Sequence, residues 1–230
     1  MRWLIALFPF ENIGDKNLLI ACARFIQHYI MYKSTITKEE IMLLPKENFD
    51  GKITVVNTLD ELNRALQKLK KHRIIGFDTE TKPSFTSKEA NRNSTALMQL
   101  STQRECFLLR LNKIGFPENL TEFISNPTVK KIGISLKDDF HVLRKNHELK
   151  PNAFVDLQSI IADYGIEEKS LQKIYAILFE KRISKSQRLS NWEAENLTEA
   201  QQEYAAIDAW ACLQIYNKLI GRGVLHTPNK

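Results

Sequence analysis

The sequence predicts an α/β protein, a mixed β-sheet flanked by helices on both faces, and three observations carry that reading. The first is a unit of strand, helix and strand: Ile53–Val56, an amphipathic run from Thr58 to Lys71, then Arg73–Glu80. Such units build sheets with helical cover. The second is a pair of short apolar runs, Ala96–Leu100 and Cys106–Leu109, joined by the polar turn Ser101–Glu105. A turn that short pairs its strands antiparallel and so makes the sheet mixed. The third is a long helical run from Thr198 to about Leu219, with no linker, repeat or low-complexity tract between Lys52 and that point. Residues 52–220 are therefore read as one domain, 1–51 as an N-terminal extension containing a helix, and 221–230 as a tail.

Taken in order, the elements have local causes. Thr58 with Glu61 matches a capping box, and Leu59, Leu62, Leu66 and Leu69 recur at helical spacing behind it. Residues 82–94 are polar, contain Pro83 and read as a loop. Pro117 opens a short helix that Asn126-Pro127 ends, and Val129–Ile134 is the next strand. The spacing predicts helices over 137–145, 157–164 and 171–179, the last capped by Ser170. Thr198 with Gln201 is a second capping box, and Gly221 and Gly223 stop the helix it starts.

Composition narrows the class only a little. Of 230 residues, 43% are hydrophobic, enough for an ordinary core, and a net charge of +6 leans toward a polyanionic partner. Three scattered cysteines and five histidines show neither disulfide nor metal-ligand spacing, which points to a reducing, cytoplasmic setting. The apolar stretch Met1–Phe10 is too short to span a bilayer, and the polar residues 11–17 interrupt it as an export signal. Residues 18–32 read as an amphipathic helix, or the first 30 residues as an extension before a start at Met31. No membrane contact and no obligate protein partner is evident.

The chemistry-bearing stretch is Arg73–Glu80, an apolar run ending on two carboxylates. Asp78 and Glu80 are two residues apart in an extended chain and so point to the same side. Neighbouring acids repel, and a divalent cation with a taste for oxygen ligands, magnesium or manganese, relieves the repulsion. A solvated strand end gives the same pattern. In the last helix Tyr204 and Asp208 are four apart, hence on one face, among Ala205, Ala206, Ala209 and Ala211, small enough for close approach to another element. By spacing alone they also fit a half-buried aromatic and a surface charge. The run Glu180–Arg188 is basic and poorly periodic, as suits a solvated loop or a set of phosphate contacts.

Three motifs in order make the chain resemble the DEDD superfamily of 3′-5′ exonucleases, in its tyrosine-bearing branch, and within it the Werner-type exonuclease domains and their bacterial relatives. They are Phe77-Asp78-Thr79-Glu80, the segment from Lys131 through Asp139, and Tyr204-Ala205-Ala206-Ile207-Asp208. The resemblance covers about residues 52–220 and implies a ribonuclease H-like fold. It leaves no room for the extra C-terminal helical domains of ribonuclease D. It implies two Mg2+ or Mn2+ ions held by Asp78, Glu80, Asp139 and Asp208, with Asp138 as the alternative to Asp139. It implies in-line hydrolysis releasing nucleoside 5′-monophosphates from a free 3′ end, DNA favoured over RNA, with Tyr204 orienting the attacking water. Thr79, Leu97 and Met98 are expected beside the terminal nucleotide, though Leu97 and Met98 also fit the core. Lys181, Arg182, Lys185 and Arg188 are candidates for backbone phosphates, and Trp192 is a base-stacking platform or a packed anchor. A non-hydrolysing nucleic-acid binder has no need of four acids where phosphate must come, and a glycosidase needs only two.

Overall fold

The computed structural model describes residues 32–83 and 94–221. The helix expected over residues 18–32 and most of the loop expected after Thr81 lie outside the described residues. Thr37 and Glu40 form a capping box that opens α1 (Lys38–Leu43), after which the chain enters β1 (Lys52–Val56). The Thr58–Glu61 box opens α2 (Leu59–Leu69) as its sequence requires, and one face of that helix buries Leu62, Ala65, Leu66 and Leu69. Then come β2 (Ile74–Thr81), β3 (Thr95–Ser101) and β4 (Glu105–Arg110). A short α3 (Leu111–Ile114), not expected from the sequence, precedes α4 (Glu118–Ser125), whose N-cap is Pro117. The chain continues through β5 (Lys130–Gly133), α5 (Leu136–Arg144), β6 (Phe154–Asp156), α6 (Leu171–Phe179) and the long α7 (Glu199–Ile220).

The six strands lie in the order β1-β4-β3-β2-β5-β6. The pairs β2–β3 and β3–β4 are antiparallel, and the other three are parallel. The expected mixed sheet is present, with β2 at the change from parallel to antiparallel neighbours. Leu66 of α2, Phe123 of α4 and Leu143 of α5 share a core with Phe77, Met98 and Leu100 on one face. Ile174 of α6 and Ala205, Ile207 and Ile215 of α7 share the other with Leu97 and Leu108. Both faces are thus covered, which explains why β3 is buried at every position rather than alternating.

Two expectations need correction. Residues 157–164 form two 3-10 turns, Leu157–Ser159 and Ile161–Tyr164, rather than one helix. Asp156 accepts from the Gln158 backbone N–H and tightens the first turn, while Gly165 in the left-handed region ends the second. Ser170 stands at the N-cap of α6 but makes no capping bond with its side chain. The stretch before Lys52 is knitted to the domain: Ile36 and Phe49 are buried, and Lys46 forms a parallel bridge with Arg182. Among the described residues no helix is long and apolar enough to cross a membrane.

One glycine decides how close α7 lies to the sheet. A Cβ at Gly76 in β2 would collide with the backbone carbonyl oxygen of Ala209 in α7. With only hydrogen there, and with Ala205, Ala206, Ala209 and Ala211 fully buried on the helix, strand and helix backbones approach directly. That contact sets Asp208 beside the end of β2.

Candidate active site

Strand β2 delivers Asp78 and Glu80 on one side of its pleat, and α7 delivers Asp208 from above that side. Ligand oxygens of these three carboxylates lie within 4.8 Å of one another. Asp208 is only 5% exposed, and its Oδ1 has no hydrogen-bond partner among the described residues. Tyr204, one turn earlier on α7, donates its hydroxyl to Asp208. Its ring packs against Trp192 at a centroid distance of 6.0 Å.

Asp139 arrives from the opposite face of the sheet, in the first turn of α5. Its carboxylate accepts from the Thr79 hydroxyl and is not one of the three oxygens grouped above, yet its charge acts on both Asp78 and Glu80. The neighbouring Asp138 is exposed. Asp156, at the end of β6, holds the start of α5. Its carboxylate accepts from the backbone N–H groups of Ser135 at 3.2 Å, Leu136 at 2.9 Å and Gln158 at 2.9 Å. Ser135 itself sits in the left-handed region with φ 57°, so the turn into α5 depends on that cap. Asp156→Ala is expected to cost about 1–2 kcal/mol, the scale of a lost N-cap, and to lower hydrolysis by loosening Asp139. Thermal melts set beside kcat measure the two effects.

Burial raises all four acids, and the charges of neighbouring site acids lift Asp78 and Glu80 further. Burial pushes Asp78 well above the usual carboxylate range, and Asp208, Asp139 and Glu80 push it further. Glu80 is raised to about 8 by burial, then by Asp208 and Asp139, with Arg188 opposing. Burial raises Asp208 to about 7 against the Tyr204 hydrogen bond and the Lys185 charge. It raises Asp139 to about 6 against the Thr79 hydrogen bond. Burial and then the Asp208, Glu80 and Asp78 charges push the Tyr204 phenol upward, so it remains a hydrogen-bond donor at neutral pH. Crowded carboxylates, all-oxygen donors and an unpaired Asp208 Oδ1 fit a hard divalent cation.

The structure sorts the expected nucleic-acid contacts. Lys185 and Arg188 are exposed, and their charges reach Asp208 and Glu80 respectively. Lys181 instead pairs with Glu47 at 3.0 Å, and the Arg182 Nε donates to the Leu44 carbonyl at 3.0 Å. These two fasten the N-terminal arm to the basic loop. Leu97, Met98 and Trp192 are wholly buried. Trp192 is the packed anchor, and base stacking on it is corrected because no ring face is open. Thr79 spends its hydroxyl on Asp139.

A mixed sheet covered on both faces, with carboxylates gathered at the end of a central strand, defines a nuclease of the ribonuclease H-like class. Residues 53–222 match the 3′-5′ exonuclease family, and the chain belongs to it, within the DEDD superfamily and with a tyrosine at the variable position. It is 33% identical over 152 residues to the mouse bifunctional 3′-5′ exonuclease/ATP-dependent helicase WRN, a match that takes in 64% of this chain and 11% of that protein. To the Drosophila melanogaster exonuclease 3′-5′ domain-containing protein 2 it is 30% identical over 178 residues, 73% of this chain and 30% of the relative. The chain thus spans less than a third of either relative's length. The crystal structure of the Aedes aegypti Nibbler EXO domain superposes with a TM-score of 0.69 at 21% identity, covering 76% of this chain and 92% of that one.

Proposed function

We propose that the protein is a divalent-metal-dependent 3′-5′ exonuclease that hydrolyses phosphodiester bonds from the 3′ end of a nucleic acid, DNA by preference, and releases nucleoside 5′-monophosphates. The observation that supports it most is the meeting of Asp78, Glu80 and Asp208, from elements 130 residues apart in sequence, within 4.8 Å. Asp78, Glu80 and Asp208, with Asp139 beside them, would hold two Mg2+ or Mn2+ ions. When bound, such ions polarise the scissile phosphate, lower the pKa of the attacking water and stabilise the departing 3′ oxygen. Tyr204 stays protonated and hydrogen-bonded to Asp208, which suits it to orient that water rather than deprotonate it. Thr79 fixes the Asp139 carboxylate. Lys185 and Arg188 stand beside the acids and supply the positive charge an incoming phosphate needs. The similarity to a Werner-type relative favours DNA.

An oligonucleotide labelled at its 5′ end is expected to shorten one nucleotide at a time when Mg2+ or Mn2+ is added. Shortening that persists in excess chelator defeats the reading. Running single-stranded DNA, recessed duplex and RNA side by side tests the substrate preference, and faster loss of RNA reverses it. Replacing Lys185 and Arg188 together by alanine is expected to raise KM and to flatten the salt dependence by up to about one logarithmic unit per lost phosphate contact. Lys181→Ala should leave that slope unchanged, because its charge is committed to Glu47.

A further inference from the structure

Beside the acids, β3 carries a polar side chain that none of these roles uses. Gln99 stands directly opposite Asp78 in the antiparallel β2–β3 register and is wholly buried. Neither its amide nitrogen nor its amide oxygen has a hydrogen-bond partner among the described residues. Opposed residues in such a pair project to the same face with their Cβ atoms about 5 Å apart, so the amide lies alongside the Asp78 carboxylate, beneath α7. The Cys106 thiol on β4 and the Cys212 thiol on α7 register the same neighbour. Burial pushes both upward, and the charge of Asp78 adds to the effect.

A buried amide with both ends unbonded is costly, and a methionine would fill nearly the same space without that cost. We propose that Gln99 is a positioning residue for Asp78: its amide, unpartnered in the metal-free site, donates to the inward carboxylate oxygen once Asp78 is ionised and leaves the other oxygen to the divalent cation. Ligating carboxylates depend on such hydrogen bonds for their orientation, and losing one typically costs 10–100-fold in metal affinity or activity. The inference rests on the metal-dependent reading of the site. An interior water bonded to the amide is the competing account, and it predicts no link to the metal.

The test uses the full chain with Gln99→Met, and Gln99→Leu beside it to separate shape from polarity. Mn2+ is titrated calorimetrically without nucleic acid, and kcat and KM are then measured on a 3′-ended oligonucleotide. Both variants are expected to melt, metal-free, no lower than the parent, since two unpaired polar atoms are gone. Both should bind Mn2+ about tenfold or more weakly and lose kcat by a like factor, with KM for the oligonucleotide unchanged. Parent-like Mn2+ affinity in Gln99→Met overturns the proposal, as does a lower melting temperature with unchanged affinity, which marks a packing role alone. A parent protein that binds no Mn2+ overturns the metal reading itself, whereas a parent that binds with an unaffected variant removes only Gln99 from the account.

Discussion

Asp208→Asn is expected to drive hydrolysis and stability in opposite directions. Catalysis falls by about a thousandfold or more, while the metal-free protein melts higher. The carboxylate is almost fully buried, lies within 4.8 Å of the ligand oxygens of Asp78 and Glu80 and presents an Oδ1 with no partner among the described residues. On the proposed reading, neutralising it would remove one charged ligand from a site whose divalent cation would supply several kcal/mol of charge stabilisation in the transition state, and each 1.36 kcal/mol is about a factor of ten in rate. In the metal-free fold the same carboxylate is a liability, because its charge helps to lift Asp78 and Glu80. Asparagine keeps the shape and can still accept the Tyr204 hydroxyl, so the repulsion goes and the packing stays. A residue that only held the fold together would lose stability along with activity. Single-turnover rates in Mg2+, set beside thermal melts in chelator, separate the two, and a lower metal-free melting temperature or near-normal turnover rejects this account of Asp208.

What makes the site is convergence from both faces of one sheet. The helix α7 brings Asp208 over the face that carries Asp78 and Glu80, while α5 brings Asp139 from the core on the other side. Thr79, whose side chain alternates away from Asp78 and Glu80, is placed to bond Asp139. One short strand end thereby ties together helices that share no core. The N-terminal arm does similar work for the basic loop. Besides the Lys46–Arg182 bridge, Glu47 accepts from Tyr175 at 2.7 Å and from Lys181 at 3.0 Å, so the loop that presents Lys185 and Arg188 is fastened at its start.

Much of this is legible from local pattern. The capping boxes at Thr58 and Thr198 announce their helices because the bonds that cap them are made within four residues. The alternation of Asp78 and Glu80 on β2 and the four-residue step from Tyr204 to Asp208 hold for the same reason. What pattern does not reveal depends on distant partners. Four cations in the 181–188 run look alike, and only the arm, more than 130 residues earlier, shows that Lys181 and Arg182 are already engaged. Leu97 and Met98 fit an active-site strand as well as a core strand until helices are seen on both faces. Leu157, Ile160 and Ile161 satisfy helical spacing, yet Asp156 is drawn off to cap α5 and the chain turns in two short pieces. Gln99 reads as an ordinary strand residue until its register places it against Asp78.

The thermal stabilisation conferred by Mg2+ or Mn2+ is expected to grow steeply from pH 5 to pH 8. Glu80 is raised to about 8, Asp208 to about 7 and Asp139 to about 6, each by burial first. A raised acid holds its proton in the folded state at a pH where the unfolded chain has released it. Between about pH 4 and pH 8 the metal-free fold therefore binds more protons than the unfolded chain, and its stability falls as pH rises. One retained proton gives about 1.4 kcal/mol per pH unit, or about 4 kcal/mol over three units. For a chain of this size that is roughly 8–16 °C in melting temperature. A bound cation works with the opposite sign, because it favours the ionised carboxylates and its binding expels the protons. The gap between melts with metal and with chelator should accordingly be small at pH 5 and on the order of 10 °C at pH 8, with sub-stoichiometric proton release accompanying Mn2+ binding at intermediate pH. Asp208→Asn should shrink both the gap and its pH slope. A metal-induced shift that is flat across this range, or that narrows toward pH 8, contradicts the picture of mutually repelling buried acids waiting for a cation.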